Sequence, residues 1–149
     1  MKLLMGGRRP PGGVRAAKAG SVAYTGQARA GGRRSRRLLA AFFIGSGVNH
    51  FVIPRSYQQI VPPRLRGEAK LLVDVSGVAE VLGGVGVLLP RTRRSAGLGL
   101  IALLAAVFPA NLYMARAPER FHRIPRWALY TRLPLQPLMM WWAWRATRG

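Results

Sequence analysis

Residues 96–115 read AGLGLIALLAAVFPANLYMA, a run of twenty residues without Asp, Glu, Lys or Arg. A helix of ~20 apolar residues is long enough to cross the hydrocarbon core of a bilayer. A surface helix of a soluble protein carries charged side chains on the face that meets water, and this run has none. The run therefore predicts a transmembrane helix.

Three further apolar runs accompany this one, at residues 38–53, 71–89 and 127–144. The run at 71–89 contains Asp74 and Glu80, and the run at 127–144 contains Arg132 and two prolines. Four such runs in one short chain leave too little polar sequence to cover a soluble helical bundle. The pattern predicts an all-α fold, an integral membrane four-helix bundle over residues 38–145.

The segment in front of the bundle, residues 1–37, holds ten basic residues, eight glycines and no acidic residue. It has few large apolar side chains, which predicts a disordered basic tail. The alternative is that translation starts at Met5 or at a later codon. Residues 35–39 read SRRLL, which resembles a twin-arginine signal. No cleavage site of the small-x-small type follows, which favours a retained transmembrane helix.

Composition excludes several kinds of site. The chain of 149 residues has no Cys, four acidic residues and two His, which excludes disulfides, iron–sulfur clusters and thiol catalysis and predicts no metal site. The apolar runs contain Ser46 and Ser76 as their only serines, and neither has the neighbours of a hydrolytic nucleophile. We therefore expect no catalytic residues of this kind, and a non-catalytic subunit rather than an enzyme acting alone.

The formal net charge is +20, which raises the question of nucleic acid. Basic tails bind phosphate backbones without specificity, but Tyr24 is the only aromatic residue in this tail. We expect the partner to be the lipid bilayer, with no specific nucleic acid. Fifteen basic residues fall on the side of the two termini and eight on the other, which predicts an inner membrane protein with both termini in the cytoplasm.

A weak internal repeat relates two connections. Residues 54–60 read PRSYQQI and residues 118–124 read PERFHRI, 64 positions later. Each copy follows a helix predicted to run outward. The repeat predicts two related helix pairs, each ending in a short interfacial segment with Tyr57 or Phe121 dipping into the headgroups.

Six polar residues fall inside the predicted helices. Counting from the helix ends puts four of them at one depth, ~5–8 Å below the outer interface, and two near the midplane. The first four are His50, Asp74, Asn111 and Arg132, and the deeper two are Glu80 and Gln136. Intramembrane ionisable residues are functional candidates and normally find partners. We predict a polar pocket that opens outward, with an Asp74–Arg132 ion pair and with His50 and Glu80 beside a quinone headgroup or a proton relay.

Purely structural roles are the alternative for the same residues. Asp74 and Arg132 would then lock the bundle. His50 and Asn111 would bond carbonyls released by Pro54 and Pro109, and a protonated Glu80 would bond a neighbouring helix.

Five short motifs resemble the DoxX-like family of small membrane proteins. They read GVNHF at 47–51, IVPP at 60–63, SGVAEVLGG at 76–84, FPANLYM at 108–114 and RLPLQ at 132–136. The resemblance covers residues 38–145 and leaves the basic tail unmatched.

The resemblance implies a four-helix inner-membrane protein that accompanies a membrane oxidoreductase, with quinone as the implied cofactor. The absence of Cys argues against a direct thiol-redox role. The first hypothesis is an accessory or quinone-facing subunit of a redox complex. The alternatives are a small permease or channel-like component, and a membrane scaffold without chemistry.

Overall fold

The computed structural model describes residues 13–148, with side chains from residue 32 onward. Its five α-helices are α1 (Gly13–Val52), α2 (Pro54–Gln59), α3 (Ala69–Leu88), α4 (Arg93–Arg116) and α5 (Arg126–Thr147). Two short 3₁₀ helices, Pro63–Glu68 and Pro118–Phe121, precede α3 and α5. The described residues contain no strand, so the predicted all-α class is confirmed for them.

The chain divides into two compact units between Arg33 and Arg34. Within the first unit, the described residues 13–33 are the N-terminal part of α1. The segment predicted to be disordered, residues 1–37, is described as helical from Gly13 onward, and residues 1–12 lie outside the described part. Residues 14–30 contain six alanines and no proline, and Ala with Arg and Lys ranks among the best helix formers.

The second unit holds every helix that the apolar runs predicted. Helices α3, α4 and α5 begin and end within about three residues of the predicted runs, while α1 starts far earlier. Proline begins α2 and both 3₁₀ helices, where its missing N–H has no intrahelical partner to lose. Helix α5 continues through Pro134 and Pro137, and α4 through Pro109.

Two helical segments are long and apolar enough to cross a membrane, judged by length and composition. They are Pro63–Leu88, which joins the 3₁₀ helix to α3, and Arg93–Arg116, which is α4. Only 28% and 17% of their apolar windows are buried inside the protein, respectively. Core helices of a soluble protein would bury a much larger share.

The four long helices pack together at one end of the unit. Their shared core consists of Leu39, Phe43, Val87, Leu100, Met139, Ala143 and Ala146. Glycines bring the helices close here: Gly84 of α3 lies against Ala40 and Ile44 of α1, and Gly83 lies against Leu100 of α4. Small residues that permit such approach are typical of helix packing in membranes.

The other end of the unit has two smaller cores instead of one. The first joins Tyr57 to Val61, Ala69 and Val73, and the second joins Ile60 and Tyr113 to Met114, Phe121 and Leu129. The internal repeat corresponds to α2 and to the 3₁₀ helix Pro118–Phe121. Phe121 is 7% exposed and packs edge-on against Tyr113, so its predicted insertion into the headgroups is wrong.

One hydrogen bond ties α5 to α1 beside the shared core. Trp142 donates from Nε1 to Ser35 Oγ at 2.9 Å. We expect Trp142→Phe to lower the free energy of unfolding by about 1 kcal/mol, the usual contribution of one hydrogen bond. Thermal unfolding in detergent measures it, with Trp127→Phe as control because Trp127 is 71% exposed. Equal losses in the two variants would contradict the role of this bond.

Candidate functional site

The second unit contains a cavity of about 530 Å³. Its wall is mostly apolar and is contributed by α1, α3, α4 and α5, and Tyr57, Ile60 and Val61 also line it. Five of the six polar residues that the sequence selected line this cavity. They are His50, Glu80, Asn111, Arg132 and Gln136.

His50 is held in a defined orientation on the α1 side of the cavity. Its Nδ1 lies 2.9 Å from the Ser46 carbonyl oxygen, which only accepts hydrogen bonds, so Nδ1 carries the proton. The ring stacks on Tyr57 with centroids 3.9 Å apart. Nε2 is thereby directed toward Glu80, whose Oε1 lies 3.9 Å away.

Glu80 faces His50 from α3. Its side chain is 12% exposed, and Oε2 is buried without a hydrogen-bond partner among the described residues. A buried polar atom in this state is costly unless a donor reaches it. The carboxyl group can therefore accept a hydrogen bond from a molecule in the cavity, or exchange a proton with His50.

A pair of amides forms the polar part of the α4–α5 side. Asn111 donates from Nδ2 to Gln136 Oε1 at 2.6 Å, and Gln136 donates from Nε2 to the Leu104 carbonyl. Gln136 is 4% exposed. Pro109 has no N–H to donate to the Ala105 carbonyl, which is the neighbour of the Leu104 carbonyl that Gln136 reaches.

The predicted ion pair between Asp74 and Arg132 is wrong. Asp74 accepts from Lys70 Nζ at 2.8 Å, and Asp74 does not line the cavity. Lys70 lies one helical turn before Asp74, so the pair forms within α3 and requires no approach of another helix. Arg132 lines the cavity from α5 and is exposed.

The purely structural roles predicted for His50 and Asn111 differ from the bonds that these residues make. His50 does bond a carbonyl, but that of Ser46, one turn before it, rather than the one that Pro54 leaves free. Asn111 bonds another side chain, and Gln136 is the residue that reaches a carbonyl.

Tyr57 is the site residue that sequence reasoning assigned elsewhere. It stacks on His50, and its hydroxyl accepts from Asn49 Nδ2 at 3.2 Å. The sequence feature that could have indicated this position is Pro54, because it begins α2 directly after the end of α1 and so brings Tyr57 back beside α1. The described residues contain no group of three side chains suited to a metal ion.

Comparison with known proteins gives one match. Residues 39–147, more than half of the chain, match the family described as Domain of unknown function (DUF8561). No curated protein and no solved structure matches the chain.

Proposed function

The chain belongs to the DUF8561 family, and on that premise we propose that it is a four-helix membrane protein whose cavity binds a lipid-soluble quinone. We further propose that it serves as an accessory subunit of a membrane oxidoreductase. The observation that carries the proposal is the cavity itself, whose mostly apolar wall holds one titratable pair and one amide pair, together with Ser46, Tyr57, Ser76 and Arg132.

Exposed apolar side chains support the membrane location. Phe42, Phe51 and Val52 of α1 are between 49% and 67% exposed, and Leu138 of α5 is 55% exposed. Exposed large apolar side chains in this number are typical of a surface that meets lipid or another protein. Together with α3 and α4, these faces support four crossings, and the excess of basic residues near the termini supports a cytoplasmic location for both.

The donor set of the cavity fits a quinone. A quinone has two carbonyl oxygens that accept hydrogen bonds, on a flat ring that prefers an apolar wall. Glu80 with its proton, or His50 with a second proton on Nε2, donates from the α1–α3 side, and the Asn111–Gln136 pair lies on the α4–α5 side. Glu80 Oε2 has no hydrogen-bond partner among the described residues, and a ligand in the cavity would supply one.

A bound quinone takes up electrons together with protons. The chain's own part is to bind and orient the ring, to keep water from it with an apolar wall, and to hold a proton between His50 Nε2 and Glu80. The Ser46 carbonyl keeps the imidazole turned so that Nε2 faces Glu80. In this scheme a partner protein supplies the electrons.

A permease or channel-like component is the second candidate function. The exposed Arg132 guanidinium lines the same cavity and offers a positive charge to a passing anionic solute. Solute flux into liposomes that contain the protein, lost in Arg132→Gln, distinguishes this function from quinone binding. A scaffold without chemistry predicts neither flux nor binding.

Loss of the titratable pair is expected to weaken quinone binding about fivefold, since each variant replaces a titratable donor by a neutral amide, whose hydrogen bond to the quinone carbonyl is weaker. The variants are Glu80→Gln and His50→Gln in the purified full-length chain. Calorimetric titration with a short-chain ubiquinone analogue in mild detergent measures the binding. Thermal unfolding of the same samples identifies any variant that has lost its fold.

Matched controls for this experiment exist in the chain. Glu119→Gln and His122→Gln change the same residue types outside the cavity, on exposed positions. We expect both controls to bind like the wild type. No measurable binding by the wild type, or equal weakening by the controls, would overturn the proposal. Recovery of an oxidoreductase in a native purification tests the accessory role separately.

A further inference from the structure

An arginine patch covers the end of the second unit at which the four long helices share one core. Its members are Arg34, Arg37, Arg91, Arg94, Arg145 and Arg148, all of which are exposed. They come from α1, from the connection between α3 and α4 with the start of α4, and from the end of α5. Two contacts join these segments, Trp142 with Ser35 and Gly97 with Thr147. Within the connection between α3 and α4, Thr92 donates from Oγ1 to the Gly86 carbonyl.

The segments that form the arginine patch contain no Asp or Glu. The four acidic residues of the chain are Glu68, Asp74, Glu80 and Glu119, and none of them lies in these segments. Arg94 also stands in the first turn of α4, where the helix dipole disfavours a positive charge. The patch is therefore a concentrated positive surface that attracts anions from outside the chain.

Apolar and aromatic side chains border the arginine patch. Trp141 and Trp144 are 52% and 41% exposed, and Leu38, Leu89 and Leu98 are between 51% and 62% exposed. The Arg148 guanidinium lies 3.8 Å from the ring centroid of Trp144, and that of Arg145 lies 5.8 Å from Trp141. Tryptophan rings favour the headgroup level of a membrane, which places these guanidinium groups at the depth of lipid phosphates.

We propose that the arginine patch binds the phosphates of anionic phospholipids in one leaflet. A phospholipid supplies a phosphate for the guanidinium groups and acyl chains for the exposed leucines and tryptophans beside them. A nucleic acid or an acidic soluble protein would leave those apolar side chains in water. The inference rests on the membrane location proposed above and is independent of quinone binding.

Lipid retention tests the proposal directly. The purified full-length chain is exchanged into vesicles that contain equal amounts of phosphatidylglycerol and phosphatidylcholine with identical acyl chains. It is then extracted, and native mass spectrometry counts the lipids that stay bound. We expect the wild type to retain phosphatidylglycerol in excess, and this excess to fall about threefold or more in Arg145→Gln/Arg148→Gln and in Arg91→Gln/Arg94→Gln.

The opposite end of the unit supplies the control. Arg64→Gln/Arg66→Gln removes two charges next to the acidic residue Glu68, and we expect the excess to stay as in the wild type. No excess in the wild type, or an equal fall in the control, overturns the proposal. Quinone titration of the patch variants should match the wild type, since these positions do not line the cavity. A wild type that retains phosphatidylglycerol but binds no quinone would contradict the proposed quinone site only. A wild type that binds quinone but shows no preference for phosphatidylglycerol would contradict the proposed lipid site only.

Discussion

Gly47→Ala is expected to lower the free energy of unfolding by about 2 kcal/mol, although alanine favours a helix more than glycine does. A Cβ atom at position 47 would lie 2.6 Å from the Gly77 carbonyl oxygen and 2.8 Å from a methyl group of Val81. The carbonyl belongs to the backbone of α3, so it cannot turn away as a flexible side chain does. Helices α1 and α3 would have to separate at this crossing.

The same crossing positions the titratable pair. Gly47 and Gly77 lie against each other, and a Cβ at position 77 would lie 2.9 Å from His50 Cβ. Any separation of the two helices increases the distance between His50 and Glu80, which is 3.9 Å. Gly47→Ala is therefore expected to weaken quinone binding as well as stability.

Gly45→Ala is the matched control on the same helix. A Cβ atom at position 45 meets nothing within 4 Å, so the substitution gains helix propensity without a clash. We expect unchanged or slightly higher stability. Unfolding by titration with sodium dodecyl sulfate in mixed micelles measures both variants. Equal stabilities of the two would show that α1 and α3 do not approach each other through Gly47.

Gln136→Leu is the second large effect, also about 2 kcal/mol of unfolding free energy. The substitution removes the acceptor of Asn111 and the donor to the Leu104 carbonyl, and both groups stay inside the protein without those partners. A group left unsatisfied in an apolar setting costs more than the hydrogen bond contributed, because desolvation is not compensated. Leucine fills a similar volume, so cavity formation contributes little.

Two comparisons make this prediction specific. Gln59→Leu changes the same residue type at an exposed position of α2 and should leave stability nearly unchanged. Asn111→Leu/Gln136→Leu removes both amides, and we expect it to be more stable than Gln136→Leu alone, because Asn111 is then no longer left unpaired. A double variant that loses the sum of the two single losses would rule out coupling between the amides.

Much of the fold follows from run length and charge. The runs at 71–89, 96–115 and 127–144 predicted α3, α4 and α5, because an uninterrupted apolar run of this length has few other stable forms. The start of α1 was missed, because eight glycines and ten basic residues in residues 1–37 suggested disorder. The alanine-rich part of that segment has a high helix propensity, which the composition of the whole segment does not reveal.

The candidate site was predicted as a set of residues but not as a set of bonds. Depth along each helix identified five residues that line one cavity. The depth of a residue in the membrane does not say which way its side chain points around the helix axis. Equal depth therefore suggested an Asp74–Arg132 pair, whereas Asp74 bonds Lys70 of its own helix. It also assigned no partner to Tyr57, which follows a break in the helix at Pro54.

The sequence by itself determined that the chain is helical, that two of its helical segments are long and apolar enough to cross a membrane, and that few polar side chains lie within the apolar runs. These properties follow from composition and spacing along one helix. Only the tertiary structure decided that His50 faces Glu80 and that Gln136 reaches the backbone of α4. Such contacts depend on how close two helices come and how each is rotated, which glycines and prolines at particular crossings determine.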